Sequence, residues 1–194
     1  RARDGTWIVD GTPTDCVILA VNELLPGKPD ICVSGVNHGS NMGEDVLYSG
    51  TVAAAIEATV IGIPAVALSF LANGPEEIEG CEALVSSVLA NLLGRPFPKD
   101  TLFNVNIPAL PADEIRGIRV TSLGRRRYAD SITRANDPSG KEYFWIGGGV
   151  AHWQGPPESD FQAVADGYVS VTPLHLDLTN YELLEDIRAW DLTL

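Results

Sequence analysis

Hydrophobic positions in the first two thirds of the chain follow two alternating patterns. Short continuous apolar runs bounded by Gly, Pro or Asp are typical of strands buried in a parallel sheet. Between these runs, apolar residues recur every three or four positions, as on the buried face of a helix. The predicted strands are 6–9, 30–34, 64–70, 102–107 and 117–122, and the predicted helices are 12–25, 49–62 and 76–93. This alternation predicts an α/β, Rossmann-like fold with a three-layer, mostly parallel sheet.

The pattern changes at Arg125, and we divide the chain there into a Rossmann-like core (1–124) and an extension (125–194). Within the extension, segments 128–134 and 141–146 are predicted to form a β-hairpin around an Asp-Pro-Ser-Gly turn. The other predicted elements of the extension are a loop around His152 and Trp153, a helix at 160–165, a strand at 168–172 and a C-terminal helix at 180–191.

The hairpin and the C-terminal helix both carry apolar side chains that their own segments cannot cover. An isolated hairpin is marginally stable, and large exposed apolar patches mark interaction sites. The side chains concerned are Tyr128, Tyr143, Phe144 and Trp145 in the hairpin and Leu183, Ile187 and Trp190 in the helix. We therefore expect the protein to be at least a dimer that associates through the extension.

The first predicted helix begins with a recognisable local signal. Thr12 is followed by Pro13 and, three positions on, by Asp15, a pattern that resembles a capping box with Pro at the first helical position. Asp15 is thus predicted to cap this helix.

The stretch from Ile31 to Leu68 reads as a βαβ unit whose first connection is a long polar loop. Glycines let this loop turn and approach a ligand closely, and its polar side chains include Asn37, His38, Ser40 and Asn41. Ser49-Gly50-Thr51 then opens a helix, where free N–H groups and the helix dipole favour an anion. Two interpretations remain from the residues alone: a phosphate or metal site, or a plain turn with a capping serine.

Three segments resemble one known family, the SurE (survival protein E) nucleotidases, which are metal-dependent 5′/3′-nucleotidases. The central segment SGVNHGSNMGEDVLYSGTVAAAIE resembles the family's long signature. The segments GTPTDCV at 11–17 and DGYVSVTPLHLDLT at 166–179 resemble two further blocks. The resemblance covers nearly the whole chain, and it implies hydrolysis of nucleoside 5′- and 3′-monophosphates with one divalent metal ion, Mg²⁺ or Mn²⁺.

The resemblance also implies roles for individual residues. Asn37 would be a metal ligand, and Asn41, Ser49, Gly50 and Thr51 would line the phosphate pocket. His38, inside the same segment, is a further candidate for substrate contact or proton transfer. The family also associates by exchanging C-terminal elements between subunits, which implies a homodimer or homotetramer.

The sequence departs from the family pattern in its metal ligands. The family begins with a strand ending in Asn-Asp-Asp-Gly, whose aspartates bind the metal, and a metal-binding Ser follows. Neither feature occurs between Arg1 and Leu194, so three of the family's four protein ligands are absent. We interpret the chain as a fragment and expect the Asp-Asp-Gly strand within about sixty residues upstream of Arg1. The alternative is a non-catalytic nucleotide-binding or assembly module.

Composition and charge narrow the class of protein. The 194 residues are 45% hydrophobic and 20% charged, which is ordinary for a soluble domain with one core. The formal net charge of −13 argues against a nucleic-acid partner. The basic run Arg125-Arg126-Arg127 has two readings, a solvated turn or an anchor for an anionic substrate. No P-loop or G-x-S-x-G motif occurs, which argues against ATPases and serine hydrolases.

The cysteines and the lack of long apolar runs bear on location. Cys16, Cys32 and Cys81 are odd in number and embedded in apolar segments, so we expect buried, reduced thiols and a cytoplasmic protein. No apolar run is long enough to cross a bilayer, so we expect no membrane partner.

Overall fold

The structure, a computed structural model, describes residues 5–72, 81–128, 132–146 and 151–193. Its strands are β1 (Cys32–His38), β2 (Ala65–Phe70), β3 (Thr101–Ile107), β4 (Ile118–Val120), β5 (Arg125–Tyr128), β6 (Ile132–Asn136), β7 (Glu142–Ile146), β8 (Ala151–Gln154) and β9 (Val169–His175). Its α-helices are α1 (Pro13–Leu19), α2 (Gly50–Val60), α3 (Glu82–Leu92), α4 (Asp160–Ala165) and α5 (Tyr181–Arg188).

Five of these strands form the main sheet in the order β1-β2-β3-β9-β4. Strands β1, β2 and β3 run parallel, β9 runs antiparallel to β3, and β4 runs parallel to β9. The predicted α/β class with a mostly parallel sheet is confirmed. The returning strand is the antiparallel member.

The sheet separates two apolar clusters because alternate side chains of a strand point to opposite faces. On the first face, α3 covers the odd positions of β3 and the even positions of β2, among them Leu68 and Val105. On the second face, α2 contributes Val52 and Ala55 to a cluster with Leu102. Helix α1 packs against α2. The three layers predicted from the sequence are therefore present.

The second face changes from apolar to polar along the sheet. Under α2 it is apolar, but toward the carboxyl ends of β2 and β3 it becomes a layer of buried polar side chains. We call this the polar layer; its members are Ser69, Asn104, Asn106, Thr121, Ser170 and Thr172. A Thr121 hydroxyl lies 2.8 Å from the Ser170 hydroxyl and 2.7 Å from that of Thr172, so the layer is bonded across strands.

The extension forms two antiparallel ribbons rather than one hairpin. Strands β6 and β7 pair around the predicted turn, where Asp137 Oδ1 accepts the N–H of Ser139 at 2.9 Å. Strand β5 instead pairs with β8. Tyr128 therefore belongs to β5 and not to the hairpin, and the loop predicted around His152 and Trp153 is wrong because both residues lie on β8.

Four local predictions also need correction. Segment 6–9 is not a strand, and Ile8 is 85% exposed rather than buried. Of the three cysteines predicted to be buried, Cys81 is buried, Cys32 is half-buried, and Cys16 is exposed, since it lies off the helical stripe that contains Val17 and Val21. Strand β1 continues past Ser34 to His38. The basic run at 125–127 lies on β5, so the solvated-turn reading is wrong.

Other local predictions are confirmed. Thr12 and Asp15 form the complete capping box, with the Asp15 N–H donating to Thr12 Oγ1 at 3.2 Å. The C-terminal helix begins after Asn180, whose Oδ1 accepts the Leu183 N–H. Part of the helix predicted at 76–93 lies outside the described residues. No helix in the described ranges has the length and apolar character to cross a membrane.

Candidate functional site

The candidate site lies where β1 ends and the chain crosses the second face of the sheet to reach α2. We call residues 39–49 the signature loop. Its first residue is fixed to the sheet, since the Gly39 N–H donates to the Phe70 carbonyl oxygen at 2.9 Å. A short 3-10 turn, Gly43–Leu47, leads to the start of α2. The loop thus occupies the carboxyl edge of the parallel strands, the usual location of ligand sites in α/β sheets.

Asn37 is oriented toward the start of α2 by its own amide group. Its Nδ2 donates to the Gly39 carbonyl oxygen at 2.9 Å and to the His38 carbonyl oxygen at 3.3 Å. These bonds place Oδ1 on the opposite side, where it accepts the Thr51 hydroxyl at 3.3 Å. Asn37 and Thr51, predicted to act in one site, are therefore brought together.

Ser49 is the N-cap of α2. Its Oγ accepts the Val52 N–H at 3.1 Å, so Ser49 caps the helix, and its contact with phosphate stays a prediction. The next residue, Gly50, is exposed, and a Cβ added there would lie 3.1 Å from Cγ of Pro13. The first turn of α2 is thus an exposed helix start held close to the start of α1. Its position allows an anion to approach the backbone.

Asn41 is a buried residue of the signature loop, hydrogen-bonded to the polar layer through its N–H, its carbonyl oxygen and its Nδ2. Its N–H donates to Asn106 Oδ1 at 2.9 Å, and its carbonyl oxygen accepts both Asn104 Nδ2 at 2.8 Å and Asn106 Nδ2 at 2.9 Å. Its own Nδ2 donates to Ser69 Oγ at 2.7 Å. Asn41 therefore fixes the path of the loop, and its predicted contact with phosphate stays a prediction.

The residues that hold Asn41 were missed in the sequence analysis. Asn104 and Asn106 lie in a strand whose other members are mostly apolar, at two positions of the same face. Asparagine is depleted in strands, so its occurrence at alternate positions was a signal of a buried polar role. The sequence pattern did not reveal that Asn106 bonds Asn41, which lies 65 residues away in the chain.

Arg126 attaches the extension to the signature loop. Its guanidinium is paired with Asp45 and lies 5.3 Å from the ring centroid of Trp153. Its backbone N–H donates to Glu44 Oε2 at 2.7 Å. The N–H bond lowers the pKa of Glu44. This arginine serves as a clamp on the acidic residues of the loop. The anchoring of an anionic substrate by the basic run stays a prediction.

The histidines differ in their placement. His38 is exposed at the end of β1, beside Asn37, and its role in substrate contact stays a prediction. His175 Nδ1 accepts the Asp177 N–H at 3.0 Å, so this histidine has a structural hydrogen bond at the end of β9. Within the described ranges, no group of three or more His, Cys, Asp or Glu side chains is arranged to hold a metal ion.

A solved structure shows that this arrangement of elements is known. The crystal structure of the SurE protein from Aquifex aeolicus matches this fold with a TM-score of 0.78 at 44% sequence identity. The match covers 92% of this chain and 73% of that chain.

Sequence comparisons agree with the structural one. The 5′-nucleotidase SurE of Gemmatimonas aurantiaca is 57% identical, over 98% of this chain and 77% of that protein. The protein of the same name from Methylococcus capsulatus is 48% identical, over 98% of this chain and 76% of that protein. The model of the family described as survival protein SurE matches residues 1–130, which include the signature loop and its supports on β3. The chain therefore belongs to the SurE family.

Proposed function

We propose that the protein to which this chain belongs is a metal-dependent 5′-nucleotidase that hydrolyses nucleoside 5′- and 3′-monophosphates to nucleoside and phosphate. The observation that carries the proposal is the meeting of Asn37 Oδ1 with Thr51 at the exposed start of α2. A hard oxygen donor and a helix N-terminus lie side by side there, which suits a metal ion and the phosphate it binds. The 5′-nucleotidase relatives at 57% and 48% identity support the same activity.

The residues present fit a metal ion only in part. The Asn37 amide oxygen is a ligand that Mg²⁺ and Mn²⁺ accept, and its orientation is fixed by the Nδ2 bonds. One neutral oxygen does not make a site, so the other ligands would come from outside the described residues. When bound, the single divalent cation would withdraw charge from the phosphate and activate the attacking water.

The chain's own residues would bind and orient the phosphate. The N–H groups of the first turn of α2 and the hydroxyls of Ser49 and Thr51 would donate to its oxygens, each such charge-assisted bond contributing about 1.5–3 kcal/mol. Gly50 keeps the backbone accessible, and Asn41 completes the pocket from below. We infer attack by water rather than a covalent intermediate, because the hydroxyls of Ser49 and Thr51 are assigned here to binding the phosphate and Ser49 also caps α2.

The non-catalytic alternative is separated from this proposal by one assay. The complete protein should release phosphate from nucleoside monophosphates with Mg²⁺ or Mn²⁺ present, and chelation should abolish the release. Restoring the cation should restore it. A complete protein that binds nucleotide but releases no phosphate with any divalent cation would establish the binding module instead.

We also propose a homodimer or homotetramer assembled through the extension. None of the described side chains of the β6–β7 hairpin is buried, and Phe144 and Trp145 are 57% and 63% exposed. No residue of α5 is buried either, and the nearby Trp190 is 56% exposed. These aromatic side chains lack cover from the described chain, which supports a second copy as their partner.

Light scattering should test the assembly on the intact chain and on a version truncated after Thr179. We expect a dimer or larger species for the intact chain and a smaller species after truncation, because the truncation removes α5 and Trp190. Circular dichroism should show that the core remains folded. A monomeric intact chain would refute the proposal.

We propose a cytoplasmic location. Cys16, Cys32 and Cys81 are free thiols, which favours a reducing compartment. Cell fractionation tests this directly, and recovery of the protein outside the cytoplasm would overturn it.

A further inference from the structure

Asp160 is a fully buried carboxylate that joins three separate segments of the chain. Its relative exposure is 0%. Oδ2 accepts the Gly43 N–H at 2.8 Å, while Oδ1 accepts the Gly124 N–H at 2.9 Å and the Phe161 N–H at 2.8 Å. One side chain therefore holds the signature loop, the residue before β5 and the first turn of α4.

Two backbone segments approach the Asp160 carboxylate closely, and each has a glycine at the point of contact. Gly43 has a φ of +54°, and a Cβ there would lie 2.8 Å from the Gly124 carbonyl oxygen. A Cβ on Gly124 would lie 2.4 Å from Cδ1 of Phe161. Both backbones can reach the carboxylate only because they carry no side chain at these positions.

A buried carboxylate is costly, and backbone N–H donors are what stabilise it here. Burial raises the pKa of Asp160, and the three N–H bonds act in the opposite direction. An apolar residue would fill this space without that cost, but it could not bond Gly43. The use of a carboxylate thus points to a role in fixing the loop.

The Gly43 bond controls the part of the loop that leads to the phosphate pocket. Asn41 is already held from below by Asn104 and Asn106. Gly43 starts the 3-10 turn that ends at Leu47, two residues before the Ser49 cap. A displacement of Gly43 would therefore shift this short turn and, with it, the Ser49 cap.

We infer that Asp160 is a positioning residue for the nucleotidase reaction, which holds Gly43 so that Ser49 and Thr51 face the phosphate. This inference rests on the proposed function. The competing explanation is that Asp160 only stabilises the fold, and the two explanations make different predictions for the same variant.

The test is Asp160→Asn in the complete protein. Asparagine keeps the shape, and its Oδ1 can still accept the N–H groups of Gly124 and Phe161. Its Nδ2 would face the Gly43 N–H, so that a donor meets a donor and only the loop is released. We expect faster amide hydrogen exchange in peptides covering 42–48 and unchanged exchange in peptides covering 161–166. We expect kcat/KM to fall at least about tenfold, because even a small displacement of the groups that orient the substrate lowers the reaction rate strongly.

Two controls separate positioning from stability. Ser159→Ala changes the neighbouring residue, whose buried Oγ has no hydrogen-bond partner among the described residues, and should leave activity and exchange at 42–48 unchanged. Val88→Ala opens a cavity on the other face of the sheet, where Val88 is 2% exposed, and should lower Tm while kcat/KM stays within about twofold of wild type.

Each outcome decides one question. If Asp160→Asn lowers Tm but keeps kcat/KM within about twofold of wild type, as expected for Val88→Ala, or if exchange at 42–48 does not change, the positioning role is overturned. If Asp160→Asn does not fold, Asp160→Ser, which removes the Gly43 and Gly124 bonds without adding a donor amide, takes the same measurements. An inactive wild-type protein would instead refute the proposed function, while the exchange data would still test the Asp160 bond.

Discussion

Replacing Asn37 by alanine in the complete protein should lower kcat/KM for a nucleoside monophosphate by roughly 1000-fold or more, while the fold stays intact. Loss of groups that only support a metal ligand costs about 10–100-fold, so loss of a ligand itself should cost more. The folding effect should be small, because Asn37 is only partly buried and its bonds to Gly39 and His38 are local. Steady-state kinetics with saturating Mn²⁺, together with calorimetric Mn²⁺ titration, measure both consequences.

Asn22→Ala is the matched control for Asn37→Ala. Asn22 also uses its Nδ2 for a local bond, to the Ile18 carbonyl oxygen at 2.8 Å, but it lies on the π-helical turn after α1. Its removal should not change the rate. Asn37→Asp adds a second comparison, because a carboxylate keeps an oxygen ligand and loses the donor to Gly39. An Asn37→Ala enzyme with the wild-type rate and Mn²⁺ affinity would remove Asn37 from the site.

Gly35→Ala should destabilise the fold by roughly 3 kcal/mol or more, the sum of an unfavourable backbone conformation and an overpacked contact. Gly35 has a φ of +131°, and an added Cβ would lie 2.4 Å from the Leu68 carbonyl oxygen, which belongs to the neighbouring strand. Neither atom is at the end of a flexible side chain, so the conflict must displace the backbone. For a chain of this size the loss corresponds to a fall in Tm of roughly 6–12 °C.

Two other glycines separate the causes of that loss. Gly39 has a φ of +100° but open space around its added Cβ, so Gly39→Ala should show the conformational cost alone. Gly27 has neither a positive φ nor a neighbour within 4 Å, so Gly27→Ala should be neutral or slightly stabilising. Thermal unfolding of the three variants should rank them in that order. Equal Tm values for Gly35→Ala and Gly27→Ala would contradict the steric argument.

Local signals in the sequence were sufficient to predict the starts of α1 and α2. The capping residues Thr12 and Ser49 bond to N–H groups three positions away, so the information lies within one turn. The end of β1 was predicted less well. Gly35 and Asn37 suggested a loop, but pairing of Asn37 with Ser69 and of His38 with Phe70 extends the strand. Tertiary pairing overrode local preference there.

Long-range contacts explain the rest of what the sequence did not reveal. Strand β5 pairs with β8 rather than with a near neighbour, and no turn signal marks that choice. Asp160 and Gly43 are 117 residues apart, yet they share a 2.8 Å hydrogen bond. The sequence pattern marked only the signature loop as a candidate site, because glycine and asparagine are concentrated there. The supports beneath it are single polar residues within apolar strands.

The hydrogen bonds that join Asn104 and Asn106 to Asn41 are formed by neutral amide groups only. Neutral amides do not titrate, and dissolved ions screen charges rather than buried dipoles. These contacts would therefore hold the loop at Asn41 in the same way whether or not the proposed phosphate and divalent cation are bound.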